Sequence, residues 1–134
     1  MKKHIIILLA FVALSQVVRS QSPDKRYKIA TIGFYNLENL FDTINDPTIN
    51  DEEFLPTGKN HWTSERYQKK LSNMAYAISR IGDNLLPMPP MVIGLSEMEN
   101  RRVLEDLVNH DSLRRFNYQI VHYDSPDRRG VDVA

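Results

Sequence analysis

A chain of 134 residues with 42% hydrophobic and 25% charged residues has the composition of a globular protein of one domain or part of one. Seventeen Lys and Arg stand against seventeen Asp and Glu, and cysteine is absent. This balance excludes the globally basic footprint of a protein that coats nucleic acid, and the fold must rely on its core rather than on disulfides.

Lys2-Lys3 opens the chain and is followed by an apolar run from Ile5 to Leu14, then by Ser15-Gln16-Val17-Val18-Arg19-Ser20. That order is basic, apolar and then small, with Val18 and Ser20 at the −3 and −1 positions of a signal-peptide cleavage site. The apolar run is shorter than the roughly 20 residues that a membrane span needs. The expectation is a signal peptide over residues 1–20, a linker over 21–27 and a domain over 28–134. The product would be exported, periplasmic or secreted. Losing Lys2, Lys3 and Arg19 leaves fourteen basic against seventeen acidic residues, a net charge of −3.

The run Lys28 to Tyr35 is β-branched and apolar and predicts a buried strand, ending at Asn36-Leu37-Glu38-Asn39. Residues 42–61 carry Pro, Gly, Asn and Asp without period and predict a long loop. Thr63 is the expected N-cap of a helix on which Tyr67, Leu71, Met74, Ala75, Ile78 and Ile81 recur at helical spacing. Gly82 fits the position that ends it. Met91 to Leu95 predicts a second strand, and Asn100 the cap of a helix with Val103, Leu104, Leu107 and Val108 on one face. Tyr118 to Tyr123 predicts a third strand, Asp124 to Gly130 a turn, and Val131 to Ala134 the beginning of a fourth strand. This order argues for an α/β or mixed-sheet architecture. An apolar strand with no turn, cap or polar tail after it predicts that the chain continues in a longer protein.

Two of these strands end on polar clusters, Asn36 with Glu38 and Glu97 with Glu99. Ligands collect at the carboxyl ends of strands in open α/β sheets. A carboxylate beside a neutral amide there suits a hard cation such as Mg²⁺, which takes oxygen ligands. The competing reading has Glu97 facing solvent or stabilising the next helix through its dipole. The four histidines are scattered and no HExxH occurs, which argues against a zinc hydrolase. His122 reads as packed or hydrogen-bonded. The loop acids Asp42, Asp46, Asp51, Glu52 and Glu53 do not follow the EF-hand pattern. Arg101-Arg102 and Arg114-Arg115 read as solvated charge, and Trp62 as a core or staple residue.

Four stretches, IATIGFYNLENLFD, NHWTSERYQKKLSNMAYAI, MVIGLSEMENRRVLEDLV and YQIVHYDSPDRRGVDVA, taken in this order, resemble the endonuclease/exonuclease/phosphatase family, and within it exported bacterial endonucleases. The resemblance covers nearly all of residues 28–134. It implies an α/β (α+β) fold, a four-layer sandwich of two mixed β-sheets flanked by helices, of which these residues are the N-terminal part. It implies hydrolysis of phosphodiesters or phosphomonoesters with a divalent metal, Mg²⁺ first, with Mn²⁺ or Ca²⁺ as alternatives. Residue by residue, Glu97 matches the family's metal-binding glutamate, and Asn36 the asparagine that helps to order the metal. Glu38 falls where some members carry a further acid. Glu99 and Asn100 are assigned to the helix start. Arg129 and Asp132 lie where the family brings groups towards the substrate phosphate. The family's Asp-x-Asn, its terminal Asp-His and a further His do not occur here. The implied reading is a nuclease-like phosphodiesterase, with a truncated non-catalytic fragment or a sphingomyelinase- or phosphoinositide-phosphatase-like specificity as the alternatives. The implied partner is a phosphodiester, nucleic acid among them; no membrane span and no protein partner are implied.

Overall fold

A computed structural model describes residues 27–134. The expected signal peptide, and the linker up to residue 26, lie outside the described residues.

The first strand, β1, spans Ile32–Leu40. It therefore starts later than expected and runs on through Asn36, Glu38 and Asn39, which had been placed after it. Helix α1 spans Ser64–Arg80, and Thr63 accepts a hydrogen bond from the Arg66 amide at its N-terminus. Gly82 (φ +76°) follows, in the left-handed conformation that ends helices. Strand β2 spans Val92–Met98, three residues beyond the expected end at Leu95. Helix α2 spans Arg101–Asn109, capped by the Asn100 side chain on the Val103 amide. Strand β3 is Asp132–Val133. A short 3₁₀ turn over Glu52–Phe54 interrupts the long loop, and another covers Arg114–Phe116.

The expected strand over Tyr118–Tyr123 is not formed; its one ladder contact is an isolated bridge between Tyr123 and Val133. The alternation of side chains there is real, but it serves packing. Tyr118 and Ile120 lie against the core, and the Tyr118 hydroxyl donates to the Pro90 carbonyl. Beyond that bridge the segment forms no ladder with the described strands.

The sheet is mixed and ordered β1-β2-β3, with β1 parallel to β2 and β3 antiparallel to β2. One face carries both helices. Leu37, Leu40, Leu95 and Met98 of the strands meet Tyr67, Leu71, Ala75 and Ile78 of α1 and Val103, Leu104 and Leu107 of α2 in one buried cluster. On the other face Ile32, Phe34, Val92 and Val133 stand exposed. A methyl group at Gly94 would come 3.1 Å from the Phe34 ring, so the ring lies across β2 on that open face. No helix among the described residues is long and apolar enough to cross a membrane.

Candidate phosphate- and metal-facing rim

Asn36 and Ser96 are register partners, as are Leu40 and Met98. Between these pairs β1 carries three residues and β2 only Glu97, so β1 bulges by two residues. Against β3 the extra residue is Glu97 itself, lying between the Ser96–Val133 and Met98–Asp132 pairs. Glu38 (φ +51°), Asn39 (φ +60°) and Glu97 (φ +60°) all occupy the left-handed region. Non-glycine residues rarely adopt it, because Cβ crowds the carbonyl. Two adjacent parallel strands thus carry bulges at the same height, and this re-aims their side chains at the carboxyl edge.

The Asn36 side chain supports the bulge on β1, its Oδ1 accepting from the Glu38 amide at 2.6 Å. Lys70 of α1 supports it from the other side: its ammonium donates to the Glu38 carbonyl and, at 3.2 Å, to that of Asn39. Burial lowers the pKa of Lys70, and the charges of Glu38 and Glu97 act against that shift. Glu97 is half-buried, and its carboxylate accepts no hydrogen bond among the described residues. Its charge also adds to the rise in the pKa of Arg129, whose main cause is the hydrogen bond that Arg129 donates to Asp127. Glu97 therefore lies within the electrostatic reach of Lys70 on one side and Arg129 on the other. Nothing local in the sequence marks Lys70, because the carbonyls it reaches lie more than thirty residues away.

Glu99 is placed differently. Positions 97 and 99 would share one side of a regular strand, but the Glu97 bulge breaks that alternation. Glu99 is buried, and its Oε2 accepts from the Asp42 amide at 2.7 Å. Burial first, and then the neighbouring Asp42 and Asp51, push its pKa up to about 7, against the Asp42 amide and Arg102. Asp42 in turn receives Asn100 Nδ2 at 3.2 Å and Arg102 at 2.8 Å. Asp51 is buried with one carboxylate oxygen lacking any hydrogen-bond partner. Glu99 ties the loop after β1 to the start of α2, alongside the cap that Asn100 provides.

Arg129 projects from the turn before β3, largely exposed, with Asp127 holding its Nη2 at 2.6 Å. Asp132 is turned inward. His122 Nε2 lies 2.8 Å from one of its oxygens, and the Ser125 amide donates to the other at 2.7 Å. His122, Asp124 and Asp132 also bring one ligand atom each within 4.8 Å of one another. Trp62 is a core residue whose indole N–H donates to the Phe41 carbonyl at 2.9 Å.

The described residues thus make an α/β layer with the oxygen-bearing side chains of Asn36, Glu38 and Glu97 at two neighbouring strand ends. The donor set of Glu97, Asn36 and Glu38 is all oxygen, which fits a hard divalent cation rather than a soft one. Residues 31–134 match the profile of the endonuclease/exonuclease/phosphatase family, and the chain belongs to that family. It is a family of nuclease- and phosphatase-like hydrolase domains that act on phosphoesters and are generally divalent-metal dependent. No curated protein and no solved structure matches the chain.

Proposed function

We propose that the protein is an exported, Mg²⁺-dependent phosphoesterase, a nuclease-like phosphodiesterase, whose described residues form part of a four-layer sandwich. The observation that carries this reading is the juxtaposition of Asn36, Glu38 and Glu97 on two parallel strand ends, with Glu38 and Glu97 held in left-handed backbone. Residues kept in such conformations cluster at functional sites, where the surrounding fold sustains the strain.

Glu97, Asn36 and Glu38 would hold the cation. When bound, Mg²⁺ polarises the phosphoryl oxygen and neutralises charge that develops during displacement at phosphorus. Glu97 supplies a fixed carboxylate with no competing protein donor. Arg129 binds the phosphate and orients it, a task suited to the planar guanidinium fork. Lys70 holds the β1 bulge in shape and balances the charge of the two glutamates. Asp132, expected near the substrate, has both oxygens engaged inside the protein, which supports a role behind the rim. The open apolar face of Ile32, Phe34, Val92 and Val133 supports the sandwich, since a second sheet would cover it.

The test is steady-state cleavage of a phosphodiester across a Mg²⁺ titration, for wild type, Glu97→Gln and Glu99→Gln. Metal-assisted stabilisation is worth several kcal/mol, so Glu97→Gln should lower the rate by on the order of 10²-fold or more. Glu99→Gln should cost far less. Equal, mild effects would remove Glu97 from the metal site, and a large loss only in Glu99→Gln would mean that the other carboxylate binds it.

A further inference from the structure

We propose that His122 is a positioning residue for Arg129, acting through a relay of hydrogen bonds across the turn that precedes β3; this rests on the reading of Arg129 as the phosphate-binding group.

The relay begins inside the protein. The side chains of His122 and Asp132 are 5% and 6% exposed, and they meet at 2.8 Å. Asp132 is fixed at β3, paired to Met98 beside Glu97. Its second oxygen accepts from the Ser125 amide at 2.7 Å. The Ser125 hydroxyl donates to the Val131 carbonyl at 2.8 Å and accepts from the Asp127 amide at 3.1 Å. The Asp127 carboxylate then accepts from the Arg129 amide at 2.8 Å, from its Nε at 3.2 Å and from Nη2 at 2.6 Å. A run of side chains within eleven residues therefore leads from a buried imidazole to an exposed guanidinium.

The turn is also held from its far side. The Asn50 amide donates to the Arg128 carbonyl at 3.1 Å. Gly130 sits at φ +69°, and a Cβ there would come within 2.2 Å of Ile49. The chain between these anchors has little freedom, so the direction of Arg129 depends on the relay.

Exposed ion pairs contribute little to stability, so Asp127–Arg129 alone is a weak reason for so much support. The arrangement makes sense as orientation. Asp127 takes Nε and Nη2 and leaves Nη1 for a further acceptor. A group that is pre-ordered in this way loses less freedom when phosphate binds.

The experiment is a double-mutant cycle on the purified protein with bis(4-nitrophenyl) phosphate as substrate. His122→Ala should raise KM about tenfold, the worth of one hydrogen bond to a charged group, and leave kcat nearly unchanged. His122→Gln, which keeps a donor towards Asp132, should restore KM. In an Arg129→Ala background His122→Ala should add nothing, because the two act as one unit. A further rise in KM in that background would overturn the proposal. An activity-free arm follows the Arg129 Nε–H resonance by ¹⁵N-resolved NMR. It should move towards the position of free arginine in His122→Ala, return in His122→Gln and stay in place in Glu97→Gln. If wild type cleaves no phosphodiester, the phosphoesterase reading falls, and this resonance alone decides the relay. An unchanged Nε–H signal in folded His122→Ala would overturn it.

Discussion

Glu97 shows how a single backbone angle joins fold to chemistry. At φ +60° it sits where glycine is at ease and other residues are strained. Glu97→Gly should therefore be more stable than Glu97→Ala by about 1 kcal/mol, the usual cost of a Cβ in this region. Chemical denaturation of the two variants measures this; equal stabilities would mean that the loop relaxes and the strain is not held. Glu99 gives a separate prediction in pH. Its folded pKa is raised from 4.5 to about 7, so the folded state holds a proton that the unfolded chain has lost. The group's stabilising contribution is complete below pH 4.5 and is lost as pH rises through 7, by roughly 3 kcal/mol at most. Urea unfolding between pH 4.5 and 8 should show this fall for wild type and a flatter curve for Glu99→Gln; parallel curves would contradict it. Asn36, Glu38 and Glu97 could be named from the sequence as candidates at strand ends, and Arg129 from the family resemblance. The different surroundings of Glu97 and Glu99 were not, since regular alternation puts both on one side and only the bulge separates them.

Elements read well where a local rule fixes them and poorly where a distant partner does. Thr63, Asn100 and Gly82 mark helix ends through side-chain caps and positive φ, and the helices follow. The strands were cut short because Asn and Glu after an apolar run look like a boundary. The ladder continues to the Glu99 amide on the Leu40 carbonyl at 3.0 Å, because the bulges absorb the polar residues. Tyr118–Tyr123 has strand-like residues but makes only one bridge, because a ladder needs a distant partner strand, and no local signal reports one. Asn100 combines two roles, taking the Val103 amide at 3.1 Å and giving Nδ2 to Asp42 at 3.2 Å. Asn100→Ala should cost about 1–2 kcal/mol, a lost cap together with a lost partner for a buried carboxylate. Asn100→Ser should recover part of this by restoring the cap alone. Urea midpoints for the three proteins test the division, and an alanine variant as stable as wild type would refute it.

At the scale of the whole molecule, the family resemblance extended over 28–134 and the profile matches 31–134, so the region was legible even where single elements were not. The proposed export has a direct readout: material from the native host should begin at Gln21, and a mature chain retaining Met1 or Lys2 would show that no leader is removed. The open sheet face sets the remaining expectation. Ile32, Phe34, Val92 and Val133 contribute nothing to the helix-side core, yet each is at least 60% exposed. Contiguous apolar surface of this kind marks an interface. The 134-residue chain by itself should therefore bind a hydrophobic dye such as ANS. Phe34→Lys with Val133→Lys should lower dye binding while leaving the urea midpoint nearly unchanged, because neither side chain packs against a helix. A loss of stability in that pair would mean that the face is already covered within the chain. A monomeric chain that excludes the dye would overturn the second sheet as the partner of this face.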